Sequence, residues 1–154
     1  MTYLILKWLH ILISTVLLGT GAGIAYFMWR AHRTRDARVI AAVAADVVRA
    51  DFLFTATAVV LQPVTGFLLI RQLGYPWTVA WIHRALALYV LVGCCWLPVV
   101  WLQVQIRNIA RRAAAEGVAL PEIYHHYFRY WFVLGWPAFG GVLVIFWLMV
   151  AKPA

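Results

Sequence analysis

Four long apolar stretches run through this chain, over residues 8–29, 52–70, 81–103 and 130–150. A helix needs about 20 mostly apolar residues to cross the hydrocarbon core of a bilayer, where each backbone polar group must be paired within its own segment. All four stretches reach that length. Composition argues against a soluble domain, since 66% of the 154 residues are hydrophobic and 12% are charged, about half the charged share usual in soluble proteins. The sequence therefore predicts an all-α fold: an integral membrane four-helix bundle, with residues 1–154 as a single transmembrane domain and the lipid bilayer as its first partner.

The connections differ sharply in charge. Residues 30–51 carry five Arg and three Asp, residues 104–129 carry four Arg and two Glu, and the connection from Gln72 to Ala80, which includes Trp77, carries none. Cytoplasmic loops are enriched in Lys and Arg. This rule places the two charged connections on the cytoplasmic side and both termini on the outer side. The same rule accounts for the net charge of +8 without a nucleic-acid partner. Val39 to Val48 and Ile106 to Ala115 read as helix, extending the spans beyond the bilayer. Cys94 and Cys95 fall mid-span and read as packing residues.

The chain also repeats itself. Trp8-Leu9-His10 matches Trp81-Ile82-His83 at an offset of 73, and Pro63 to Ile70 matches Pro137 to Ile145 at an offset of 74 with one extra Gly. Each half holds two spans and enters the membrane in the same direction. Such parallel repeats are related by a pseudo-two-fold axis along the membrane normal. His10 and His83 are then expected to face each other at one depth, on the first and third spans.

An ionisable side chain inside a span is a functional candidate, and imidazole is a strong ligand for haem iron. Two imidazoles on facing bundle helices suit the two axial positions of one haem b. Ser14, Leu17 and Gly21 share the His10 face; Ala87, Val90 and Cys94 share the His83 face. Pro63 and Pro137 would open their helices, with Gly66 and Gly140 allowing close approach. Lys7, Arg71 and Arg84 lie at the outer boundary, where propionates need cations. Gln62 and Thr65 are expected to hydrogen-bond between helices. His125 and His126, with His32, leave a second site conceivable, although their spacing fits no standard metal pattern.

The segment Leu6-Lys7-Trp8-Leu9-His10-Ile11-Leu12, with Gly23, Tyr26 and Arg30, resembles the first span of the HemJ-type membrane protoporphyrinogen oxidases. Trp81-Ile82-His83-Arg84-Ala85-Leu86 resembles that family's Trp-x-His-x-Lys-Leu pattern, with Ala85 at the Lys position. The chain resembles the copper-resistance-D-type membrane proteins more loosely. Over essentially its whole length the chain resembles the bacterial family of predicted integral membrane proteins of unknown function number 2269. The HemJ-type resemblance implies a small haem-b membrane protein with His10 as ligand, and the missing Lys counts against protoporphyrinogen oxidation itself. The bacterial resemblance implies the inner membrane, with periplasmic termini.

The expected function is electron transfer through one haem b held by His10 and His83, between a membrane donor or acceptor such as quinone and a small redox partner. The alternatives are a haem-dependent oxidase of a porphyrinogen-like substrate and a non-redox structural subunit or small transporter. All five carboxylates are read as lying in the charged loops, which disfavours acid–base catalysis. The Gly-rich stretches would allow a homodimer.

Overall fold

The computed structural model describes residues 1–76 and 78–153; Trp77, one of the aromatic residues of the uncharged connection, lies outside the described residues. The chain folds into helices α1 (Thr2–Thr34), α2 (Ala37–Ala50), α3 (Ala56–Leu73), α4 (Ala80–Glu116) and α5 (Glu122–Ala151). A π-helical turn, Asp51–Thr55, joins α2 to α3. The residues flanking this turn keep right-handed helical dihedrals, so residues 37–73 form one continuous rod. Four rods are long and apolar enough to cross a membrane, as the sequence predicts. The helical extensions expected in both charged connections are present as α2 and the last turns of α4.

Local chemistry sets the breaks. Arg35 adopts a left-handed conformation (φ 57°) after α1. Asp36 then caps α2, its carboxylate accepting from the Arg38 N–H at 2.8 Å, as N-cap Asp commonly does. Gly74 and Gly117 end α3 and α4 at φ of 66° and 67°, where a side chain would be strained.

The rods meet at the basic end, where α1 passes into α2 and α4 into α5. The core there is built from Met28 and Ala31 of α1, Ile40 and Val47 of α2, Ile106 and Ala110 of α4, and Tyr124 and Phe128 of α5. Tyr124, Ile40 and Ala110 are fully buried. His32 stacks on Phe128 with ring centroids 3.7 Å apart and meets the Tyr124 hydroxyl at 3.1 Å. Small residues such as Ala31, Ala44 and Ala110 let the backbones approach.

Towards the opposite end the bundle divides. α1 stays packed on α3 and α4 on α5, while α3 shares no extended packing with either α4 or α5 among the described residues. Side-chain links cross the gap: the Tyr89 hydroxyl of α4 donates to the Val59 carbonyl of α3, and at the far end Lys152, after α5, donates to the Tyr75 hydroxyl, after α3, at 3.3 Å. Pro63 has no N–H to give that carbonyl, so the tyrosine satisfies the group the proline frees.

Candidate functional site

Between the two hairpins lies a cavity of about 320 Å³, lined from every rod. Gly21, Gly93 and Gly135 leave room on α1, α4 and α5, and a Cβ at any of them would meet nothing within 4 Å. Most of the lining is apolar. The exceptions gather on a few positions that the fold aims inward.

Asp51 is the first. The π-helical turn carries the Ala56 N–H back to the Asp51 carbonyl, five residues rather than four, and single π turns of this kind recur at functional sites. Asp51 and Thr55 are 2% and 6% exposed, and both border the cavity. Trp96 Nε1–H reaches Asp51 Oδ1 at 3.4 Å. The Thr55 hydroxyl stands near the carboxylate, yet neither it nor Asp51 Oδ2 completes a hydrogen bond. Asp51 also lacks a cationic partner: among the described residues the ion pair is Arg49 with Asp46, on the exposed surface.

Gln103 and Trp131 border the same cavity. Both are 4% exposed, and neither the Gln103 amide nor Trp131 Nε1 has a partner. Buried polar groups are nearly always paired. Several unpaired groups around one cavity therefore form a set of donors and acceptors that a bound molecule would satisfy.

Gln62 links the cavity to a polar network on α1 and α3. Its Nε2 lies 3.1 Å from His10 Nε2 and 2.5 Å from Ser14 Oγ. Ser14 donates to the His10 carbonyl at 2.7 Å. Thr65 donates to the Leu61 carbonyl at 3.0 Å and lies 2.8 Å from His10 Nδ1. With the Gln62 amide nitrogen facing His10, one proton arrangement satisfies these bonds: the His10 Nδ1–H donates to Thr65, and Nε2 accepts from Gln62. Gln62 Oε1 is left buried without a partner, and Gln62 is one of the residues lining the cavity. The expectation that Gln62 and Thr65 bond between helices is met, with His10 as their common partner.

Of the other candidates from the sequence, His32 and His125 meet edge to face with ring centroids 5.9 Å apart, and the rest are dispersed. His83 is exposed, as are Ala87, Val90 and Cys94 on the same face of α4. The face that α4 turns inward is Ile82, Ala85, Val99 and Ile106 together with the cavity residues Tyr89, Trp96 and Gln103. Among the described residues α1 and α4 share no extended packing, and the hydrogen-bond partners of the His10 ring are on α3 rather than α4. Lys7, Arg71 and Arg84 are exposed; Lys7 lies over the Tyr3 ring and Arg71 over the Phe67 ring. Of the two glycines expected at close contacts, Gly66 is packed on His10 Cε1, while Gly140 has open space and its neighbour Gly141 takes the close contact, against Val92. His125 and His126 are exposed, and among the described residues no three His, Cys, Asp or Glu are grouped to hold a metal ion.

Haem ligation by two histidines needs a free lone pair on each imidazole and rings that face one another. His10 gives its lone pair to Gln62, and Gly66 closes on the ring so tightly that a Cβ there would stand 3.3 Å from His10 Cε1. His83 is exposed on a different hairpin. As arranged, a haem ligated by His10 would have to displace Gln62 from Nε2.

The reading that all carboxylates lie in loops is corrected at Asp51, which is part of the bundle interior. A signal for the site was present on α4: Tyr89, Trp96 and Gln103 recur every seven residues, one stripe of a helix. Asp51 had no comparable signal, because it sits two residues from Arg49 and reads as loop charge.

Fold and cavity define a four-span integral membrane protein with an internal, mostly apolar chamber. The chain belongs to the family described as predicted integral membrane protein (DUF2269), whose model matches residues 4–153. No curated protein and no solved structure matches the chain, so the two-segment likeness to HemJ-type oxidases gains no support there.

Proposed function

We propose that this protein binds a small, largely apolar molecule carrying a polar head, within the membrane and between its two hairpins. The carrying observation is that Asp51, Gln62, Gln103 and Trp131 all line one cavity and each keeps a buried side-chain polar atom without a partner. Ligand pockets combine an apolar wall with a few convergent polar groups, and the volume of about 320 Å³ falls within their usual range. With the basic end cytoplasmic by the positive-inside rule, the hairpins divide towards the outer side.

The test uses the neutral fluorophore phenylnaphthylamine and energy transfer from tryptophan in detergent-purified protein. Saturable binding is expected in the wild type. Gly135→Phe, which grows a ring into open cavity space, should abolish it without disturbing helicity. An identical, non-saturable signal in both proteins would sink the reading.

One observation favours a second reading, haem-b electron transfer between quinone and a redox partner. His10 is an imidazole inside a span, joined to the cavity through Gln62. Haem bound there would require Gln62 to leave Nε2. A reduced-minus-oxidised spectrum decides: a Soret band lost in His10→Ala but kept in His83→Ala supports a single-histidine version. No band from haem-replete cells ends it.

A further inference from the structure

We propose that the molecule taken by this cavity is an organic cation, an amine or quaternary onium with apolar substituents, and that Asp51 supplies its counter-charge. The inference rests on the binding reading above and adds the charge of the ligand.

Three features carry it. The first is the carboxylate. Asp51 is 2% exposed, one oxygen accepts from Trp96, and the other has no partner. Arg49, the nearest cation in sequence, is exposed and paired with Asp46. A buried carboxylate without a cation is costly in a low-dielectric interior. The cost is relieved either by a proton on the carboxyl or by a cation beside it; an anion adds repulsion to the ionised form, and a cation takes the proton's place.

The second feature is the wall. Trp96, Trp131, Phe132, Trp136 and Phe139 line the cavity. Aromatic faces carry negative potential and attract cations, most strongly where water is absent. The third is the absence of any competing cation. No Lys or Arg lines the cavity among the described residues. Its unpartnered polar atoms are of both kinds: the acceptors Asp51 Oδ2, Gln62 Oε1 and Gln103 Oε1 suit the N–H groups of an amine, beside the donors Gln103 Nε2 and Trp131 Nε1 and the Thr55 hydroxyl.

The experiment is displacement of bound phenylnaphthylamine by tetraphenylphosphonium or by tetraphenylborate, which share size and shape and differ in charge. Signal in Gly135→Phe is subtracted as background. Wild type should favour the phosphonium by roughly tenfold in the displacing concentration, the scale of one desolvated cation–aromatic or charge contact. Asp51→Asn should bring the ratio towards parity, and Asp51→Glu should restore it. Equal displacement by the two ions in wild type, or an unchanged ratio in Asp51→Asn, overturns the assignment of charge and leaves the cavity reading intact. Absence of saturable phenylnaphthylamine binding overturns the cavity reading instead. Should Asp51→Asn fail to fold, the wild-type ratio and the Asp51→Glu ratio decide between the outcomes.

Discussion

The Tyr89 hydroxyl donates to the Val59 carbonyl, the acceptor that an ordinary residue at position 63 would have bonded through its own N–H. Pro63 interrupts α3, and α4 repairs the break from across the cavity. The pair ties the two hairpins together where helix packing no longer does. Tyr89→Phe should therefore cost about 1 kcal/mol, the usual net worth of a hydrogen bond. In a Pro63→Ala background the restored N–H takes the carbonyl, and the same substitution should cost close to nothing. Unfolding titrations in mixed micelles over the four proteins of this cycle would read the coupling. Equal costs in both backgrounds would show that the hydroxyl does not serve the proline.

Gly141 marks a close approach of α5 to α4. A Cβ there would fall 2.5 Å from Val92 Cγ2. Valine is β-branched and held to few rotamers in a helix, so the methyl has little freedom to withdraw. Gly141→Ala should destabilise the hairpin by about 1–3 kcal/mol through overpacking, and Val92→Ala should relieve most of that. Gly140→Ala, one residue earlier and facing open space, is the control and should be near neutral. Thermal denaturation of the three variants in detergent checks the contrast.

Much of the architecture was legible because it depends on length and charge alone. Four apolar runs of sufficient length became four rods, and the capped break at Arg35 and Asp36 fell inside the first charged connection. Helix rotation was not legible in the same way. Lipid and protein interior are both apolar, so hydrophobicity does not distinguish the two faces of a span. The repeat sets His10 and His83 at equivalent positions, yet α1 turns His10 onto Gln62 and Thr65 while α4 turns His83 outward. Polar side chains spaced along a helix carry the missing information, as Tyr89, Trp96 and Gln103 do. The π-helical turn that rotates Asp51 into the interior has no such marker, since it depends on one extra residue in a backbone repeat.

The network around His10 fixes a proton. Thr65 gives its hydroxyl hydrogen to the Leu61 carbonyl, leaving the Nδ1–H of His10 to bond the Thr65 oxygen, and Gln62 donates to Nε2. Nitrogen-15 spectra of selectively labelled protein should show neutral His10 with its proton on Nδ1 at pH 7. Gln62→Leu removes the donor to Nε2 and should release the ring to the other tautomer in part, at a stability cost of about 1 kcal/mol. Observation of the Nε2–H form in the wild type would refute the arrangement.

Gln103 separates stability from function most directly. Both amide atoms are unpartnered in a side chain that is 4% exposed, and an unsatisfied buried polar group costs about 1–3 kcal/mol. If that cost is held for a ligand, removing the amide should help the empty protein and harm the occupied one. Gln103→Leu is therefore expected to raise the melting temperature of ligand-free protein, by an amount corresponding to about 1–2 kcal/mol after the loss from imperfect shape. It should also weaken phenylnaphthylamine or tetraphenylphosphonium binding severalfold, so that saturating ligand stabilises the variant less than the wild type. The opposite result, a destabilised protein with unchanged binding, would mean that the amide serves packing at the basic end, where Met28, Val47 and Ile106 lie around it, rather than the cavity. This trade of stability for a site is the pattern expected where natural selection has kept a polar group against its local cost.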